Sequence, residues 1–187
     1  MEELFYNQLN IRELKSGEEA LIVDYFYTST PEHLLFMGVD HLKLPERQSW
    51  MQRINQEHLK TDEQREYFYL LWMTGDEPVG HCNINHIHYG SKAFMHLHIW
   101  SKQIRRKGLG IKFIKLSLPV FFDRFKLEEL FCQPKAANAA PNKILTKAGF
   151  KLINDFELTP GWINYHQKVT RYRITRKEFQ GAAQSKG

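Results

Sequence analysis

Two short stretches carry residue types that can do chemistry. The first is IWSKQIRRKGLGIKF, Ile99 to Phe113, where the cations Arg105, Arg106 and Lys107 run into Gly108-Leu109-Gly110 and then into an apolar-periodic segment. The first amides of a helix have no intrahelical partner, and the helix dipole adds about half a positive charge there. Glycines let the backbone come close to a phosphate, so a basic glycine turn opening a helix predicts an anion site. The second is Phe94-Met95-His96-Leu97-His98. Strand alternation puts His96 and His98 on one face with Phe94, and an imidazole that titrates near neutrality suits a general base. The competing reading of each is a packed or solvent-facing histidine. His81, His86 and His88 recur nearby. Cysteines and carboxylates show no ligand spacing beside them, so no metal is expected.

Elements must position these groups. Leu9–Leu14 reads as a strand, and Ser16 as the N-cap of a helix running through Tyr27. Pro31–Leu44 is a connector, irregular or helical, and Pro45–Thr61 has helical spacing. The period then becomes two. Tyr67–Met73, Pro78–Tyr89 and Ala93–Ser101 read as an antiparallel meander broken at Thr74-Gly75-Asp76 and Gly90-Ser91. After the glycines, Ile111, Ile114, Leu118, Phe121, Phe122 and Phe125 recur at 3.6 residues and predict a long helix, which Pro119 should kink or end. Glu129–Gln133 is a strand. Pro141–Ala148 is a short helix with proline at or near its first position, and Gly149 follows it. Phe150–Leu158 and Gln167–Ile174 are final strands that pair. The order β-α-α-β-β-β-α-β-α-β-β predicts an α+β chain in α/β/α layers. Its mixed, mostly antiparallel sheet has six to seven strands, flanked by helices.

The 187 residues suit one domain, placed at 1–180, with a disordered tail over 181–187. A net charge of +5 and a pI near 9.1 suit an anionic partner without choosing one. Two distant cysteines exclude a disulfide scaffold. The acidic start lacks a signal-peptide pattern and no apolar run is long enough to span a bilayer, so a cytoplasmic protein without membrane attachment is expected. Basic residues near the C-terminus alternate with apolar ones, as an edge strand does, and nucleic acid is not expected as a partner.

Arg105-Arg106-Lys107-Gly108-Leu109-Gly110 is neither GxxxxGK[ST] nor GxGxxG, since Phe113 fills the last position. It fits [Q/R]xxGx[G/A]. With the strand before it, the amphipathic helix after it and LEELFCQPKAANAAPNKILTKAGF, Leu127 to Phe150, the chain resembles the GNAT superfamily of acyl-CoA-dependent N-acetyltransferases, loosely its ribosomal-protein branch. The resemblance implies direct transfer of the acetyl group of acetyl-CoA, as cosubstrate, to a primary amine. It also implies that backbone near Ile99 and Trp100 binds pantetheine, that Arg105, Arg106, Lys107, Gly108, Leu109 and Gly110 hold the pyrophosphate, and that Asn138 lies near the coenzyme arm.

The chain departs from common family patterns. Phe94–His98 has no glutamate, Leu145 stands where a tyrosine is common, and Pro141 where the ribosomal-protein branch often has serine. His96 and His98 are the replacement candidates. The missing acids also motivate an alternative, a non-catalytic acyl-CoA-binding or regulatory domain. The acceptor region, Tyr25–Trp50 with Leu158–Tyr165, offers Tyr25, Tyr27, His33, Asp40, His41, Glu46, Trp50, Trp162 and Tyr165, aromatics and carboxylates suited to a cationic amine. Small-molecule amine, peptide N-terminus and protein lysine all stay open, as do monomer and homodimer.

Overall fold

The structure is a computed structural model and describes residues 9–100, 105 and 108–184. The chain runs β1 (Leu9–Glu13), α1 (Glu19–Tyr27), α2 (Pro31–Met37), a 3-10 turn (His41–Lys43), α3 (Arg47–Glu57), β2 (Tyr67–Thr74), β3 (Glu77–His88), β4 (Lys92–Ile99) and α4 (Leu109–Arg124). It continues with β5 (Glu129–Cys132), α5 (Ala139–Lys147), β6 (Lys151–Leu158), β7 (Gln167–Thr175) and α6 (Arg176–Gln184). The strands form one sheet in the order β1-β2-β3-β4-β5-β7-β6. Every neighbouring pair is antiparallel except β4–β5, which α4 joins as a parallel crossover.

Alternation along β2 sorts the core into two layers. Leu70 and Trp72 pack with α4, whereas Leu71 and Met73 face α1 and α3. On α4 the residues Phe113, Ile114, Leu118, Phe121 and Phe122 are buried. Trp72 stacks on Phe113 at 4.9 Å and donates its indole N–H to Ser117 Oγ at 3.0 Å. This stripe explains why α4 continues through Pro119 rather than ending there. Each large apolar side chain contributes about 2 kcal/mol, so together they exceed the roughly 3 kcal/mol cost of an internal proline.

Three local expectations change. Ser16 is not a helix cap: its hydroxyl donates to Asn55 Oδ1 at 2.7 Å, Gly17 turns left-handed (φ +91°), and the Glu19 carboxylate accepts the Gly17 N–H. Pro141 is third rather than first in α5, still within the turn whose amides lack intrahelical acceptors. α6 runs from Arg176 to Gln184, past the Gly181 boundary given to the tail. Phe179 stacks on Phe122 at 5.2 Å, and Glu178 accepts the Thr175 amide at 2.8 Å. The expected disorder of 185–187 lies outside the described residues.

Four charged side chains from three segments cluster at the end of β1, an edge strand of the sheet. Arg65 donates to Glu13 at 2.8 Å, Arg124 to the other Glu13 oxygen at 2.6 Å, and Arg124 Nε to Asp62 at 2.8 Å. Both guanidinium groups lie over the Phe68 ring, at 5.5 and 4.6 Å.

Candidate active site

The sheet opens at its centre. β4 pairs with β5 only from Lys92 to Met95. From His96 to Ile99 it is held by β3 alone, while β5 stops at Cys132 and the chain turns away through 133–138. A cavity of about 170 Å³ lies over this divergence, walled by α1, α3, β3, β4, the segment after β5 and the loop before β7. Its floor includes His81, Asn83 and Asn85 of β3 beside His96 and His98 of β4.

The expected shared face of the two β4 histidines is present. His98 stacks on His81 at 4.7 Å and meets Phe26 edge-on at 5.2 Å, and its Nδ1 is buried without a hydrogen-bond partner. His96 Nε2 lies 3.3 Å from Asn85 Oδ1. His81 Nδ1 accepts the Trp100 indole N–H at 2.8 Å. Burial, with smaller contributions from neighbouring His96, His33 and Arg105, pushes His98 down to about 3. Burial, helped by His86, takes His96 down to about 4. Burial likewise holds His81 well below its ordinary value. All three imidazoles are therefore neutral at pH 7. They accept hydrogen bonds well and hold a proton poorly.

The backbone assignments on β4 divide. The Trp100 N–H donates to Val79 O of the β2–β3 side at 2.8 Å, so Trp100 faces away from the gap. By alternation Leu97 and Ile99 turn their amides and carbonyls toward it. The Ile99 carbonyl is already occupied: Arg105 donates to it from Nε at 3.0 Å and Nη2 at 2.8 Å. Arg105 Nη2 also lies 3.3 Å from His33 Nε2, whose ring is 3.1 Å from the Tyr25 hydroxyl. Arg105 thus links the end of β4 to α2. Arg106 and Lys107 lie outside the described residues.

The glycines act differently from each other. Gly108 is the N-cap of α4 with φ +74°, and a Cβ there would meet nothing within 4 Å, so its conformation, not crowding, requires glycine. Gly110 is buried, and a Cβ there would lie 3.3 Å from Ile144 and 3.6 Å from Ile99, so it lets α4 approach α5 and β4. Leu109 buries its side chain in the core, which leaves only its backbone for a ligand. Asn138 occupies the N-cap of α5 but caps nothing. Its Oδ1, in the cavity wall, is buried without a partner. A polar atom so placed is costly unless a ligand completes it. That orphaned acceptor, beside strand amides facing a gap and a helix N-terminus behind a left-handed glycine, fits an extended amide-bearing arm ending in a pyrophosphate.

The acceptor region is only partly as expected. Trp50 and Trp162 line the cavity, 5.8 Å apart. Tyr25 and His33 line a neighbouring cleft with Trp100 and Arg105. The carboxylates do not face the cavity. Asp40 accepts the Leu42 amide at 3.1 Å, and Glu46 caps α3 by accepting from Gln48 and Ser49. Tyr27 donates to the Pro45 carbonyl, His41 sits in the exposed 3-10 turn, and the Tyr165 amide binds Gly38 O at 3.1 Å. The sequence reading missed His81, Asn83 and Asn85 as floor residues and Arg53 at the rim. The signal for the first three was present, as polar residues alternating along an otherwise apolar strand. Among the described residues no cluster of His, Cys, Asp or Glu is arranged to hold a metal, and no helix is long and apolar enough to cross a membrane.

Three solved structures share this architecture. An aminoglycoside acetyltransferase, AAC(6')-Ib, in complex with coenzyme A superposes with a TM-score of 0.72 at 13% identity, covering 94% of this chain and 99% of its own. RimL, a ribosomal L7/L12 alpha-N-protein acetyltransferase in complex with coenzyme A, gives 0.72 at 12% identity, covering 90% and 94%. Spermidine N-acetyltransferase from Vibrio cholerae, in complex with CoA and spermine, gives 0.72 at 16% identity, covering 93% and 99%. At these identities the likeness is one of fold. No curated protein matches the chain by sequence. The profile of the acetyltransferase (GNAT) domain matches residues 8–151, most of the chain, and spans the divergent strands, the glycine turn and the orphaned asparagine together: the chain belongs to the GNAT acetyltransferase family.

Proposed function

We propose that this enzyme transfers the acetyl group of acetyl-CoA directly to a primary amine in the cavity over the β4–β5 divergence. The observation that carries this reading is Asn138, which lines that cavity beside the β4–β5 gap and whose Oδ1 is buried without a partner. In this reading the backbone of Leu97, the Ile99 amide and the Asn138 side chain hold the pantetheine arm, and the turn from Arg106 to Gly110 holds the pyrophosphate. The coenzyme supplies the activated acetyl group. A strand amide facing the gap stabilises the thioester oxygen as it gains charge. The attacking amine must be neutral. His96 and His98 accept its hydrogen bond and pass the proton to water rather than keeping it, as their depressed basicity requires.

The first test is thermal unfolding with and without acetyl-CoA. Ligand at about 100 times its dissociation constant adds about 2.7 kcal/mol, a rise in Tm of roughly 5–10 °C for a domain of this size. ATP and NAD should give no such rise. Asn138→Ala should keep the unliganded Tm and shrink the coenzyme-induced rise, one lost hydrogen bond being worth about 1 kcal/mol. No rise in the native protein at millimolar acetyl-CoA rejects the reading.

The histidines make a second prediction. With values of about 3 for His98 and 4 for His96, both are neutral throughout pH 5–9. The acid limb of kcat/KM should therefore follow only the acceptor's own deprotonation, with no break near 6.5. At least one of His96→Ala and His98→Ala should lower kcat about tenfold, below the roughly 10²–10⁴-fold usual for general acid–base catalysis because these bases are weak. Full activity in both variants excludes them from proton transfer.

A further inference from the structure

The charge around the cavity selects the acceptor, and this inference rests on the acetyl-transfer reading above. Among the described residues lining the cavity, Arg53 and Lys135 carry charge at neutral pH, and none is aspartate or glutamate. The histidines on its floor are neutral and supply no negative charge. Nearby carboxylates are engaged elsewhere. Besides Asp40 and Glu46, Glu57 accepts the Glu66 and Tyr67 amides and pairs with Lys60 at 2.7 Å. Asp24, in the neighbouring cleft, is held by Arg47 at 2.7 Å.

The two cations differ. Lys135 donates to the Leu35 carbonyl at 2.9 Å. Arg53 lies over the rings of Trp162, at 5.2 Å, and Tyr67, at 6.0 Å, and forms no ion pair with a described carboxylate. A guanidinium resting on an aromatic face is held in orientation yet keeps its in-plane N–H groups for an incoming group. A planar fork of donors matches a carboxylate. A polyamine would bring further positive charge to a wall that is already positive and has nothing to neutralise it.

We propose that the acceptor is a primary amine that also carries a carboxylate, and that Arg53 determines this specificity by binding the carboxylate at the cavity rim. A free amino acid and the N-terminus of an acidic peptide present the same chemistry. The test measures kcat and KM for CoA release with an amino acid and its decarboxylated amine, Ala-Asp-Ala and Ala-Lys-Ala amides, and spermidine. Native protein, Arg53→Gln and Arg53→Glu are compared, with acetyl-CoA thermal shifts recorded on each.

The carboxylate-bearing member of a matched pair should be favoured at least tenfold in kcat/KM, with spermidine poorest. The preferred pair distinguishes the free amino acid from the peptide. Arg53→Gln should erase the preference through KM with little change in kcat, and Arg53→Glu should shift it toward spermidine, the coenzyme-induced shift remaining in both. A native preference for the neutral amine or spermidine overturns the inference. So does a preference unchanged in Arg53→Gln, or no turnover of any carboxylate-bearing probe while the coenzyme shift is present. Absence of that shift in native protein instead overturns the acetyl-transfer reading, so the two failures are distinguishable.

Discussion

Gly108→Asp should weaken acetyl-CoA binding about a hundredfold while leaving the protein folded. The site tolerates the side chain: Gly108 is exposed, and a Cβ there meets nothing within 4 Å. Its φ of +74° costs a non-glycine residue about 1 kcal/mol, least for Asp and Asn. A carboxylate at the N-cap also favours α4 itself. What changes is the charge facing a bound pyrophosphate. One like-charge pair at about 6 Å in an effective dielectric of 20 costs close to 3 kcal/mol, a factor of about a hundred. Gly108→Asn is the control, with the same shape and the same backbone cost but no charge, and it should lose only a few-fold. Isothermal titration of both variants reads the difference, which should narrow at high salt. Equal affinities for Asp and Asn place the pyrophosphate somewhere other than this turn.

Glu13→Gln should destabilise the fold by about 2–3 kcal/mol, lowering Tm by roughly 5–10 °C. Glu13 receives one guanidinium on each oxygen, and its removal leaves Arg65, only 9% exposed in its side chain, facing a neutral amide. The figure lies below that for a fully buried pair because the Glu13 side chain is itself 35% exposed. Burial alone would raise the Glu13 carboxyl, but hydrogen bonds and charge from Arg65 and Arg124 outweigh it and leave it below its ordinary 4.5. The unfolded chain therefore binds this proton more readily, and the stabilisation is present above about pH 4.5 and lost as pH falls through the folded value. Below about pH 6.5 native protein and variant alike also lose stability from the buried histidines, which protonate more readily when unfolded. The difference in denaturant-unfolding free energy between the two proteins cancels that part. It should be flat from pH 8 to 5 and shrink below 4.5; a difference that is constant to pH 2.5 rules out the paired carboxylate as its source.

Periodicity revealed what is repeated along a single element. The alternation of β2, the 3.6-residue stripe of α4 and the His96–His98 face were legible because each records one side of one element against the core. Side-chain destinations set by other segments were not legible. The charge of Arg105 suggested a phosphate ligand, yet the carbonyl that receives it is six positions back at the end of a strand whose direction only the folded sheet defines. Asp40 and Glu46 looked available for an amine because a carboxylate's use as a cap depends on where the next turn begins, and that start was blurred by several residues of polar connector. Pro119 misled in the opposite sense: a local penalty was visible, while the burial that offsets it comes from β2, which ends 45 positions earlier at Thr74. The placing of β7 inside β6 was likewise silent in the sequence, since either strand of a terminal hairpin has a face that can meet β5.

Arg105 joins the two halves of the site mechanically. Its guanidinium grips the last carbonyl of β4, beside the gap, and, through His33, touches α2 in the neighbouring cleft. If amine and coenzyme bind as proposed, an acceptor that displaces α2 changes the pull on Arg105, and Arg105 passes that change to the end of β4. Binding free energies are reciprocal. By whatever factor the amine alters affinity for acetyl-CoA, acetyl-CoA alters affinity for the amine, and Arg105 is the side chain placed to link the two.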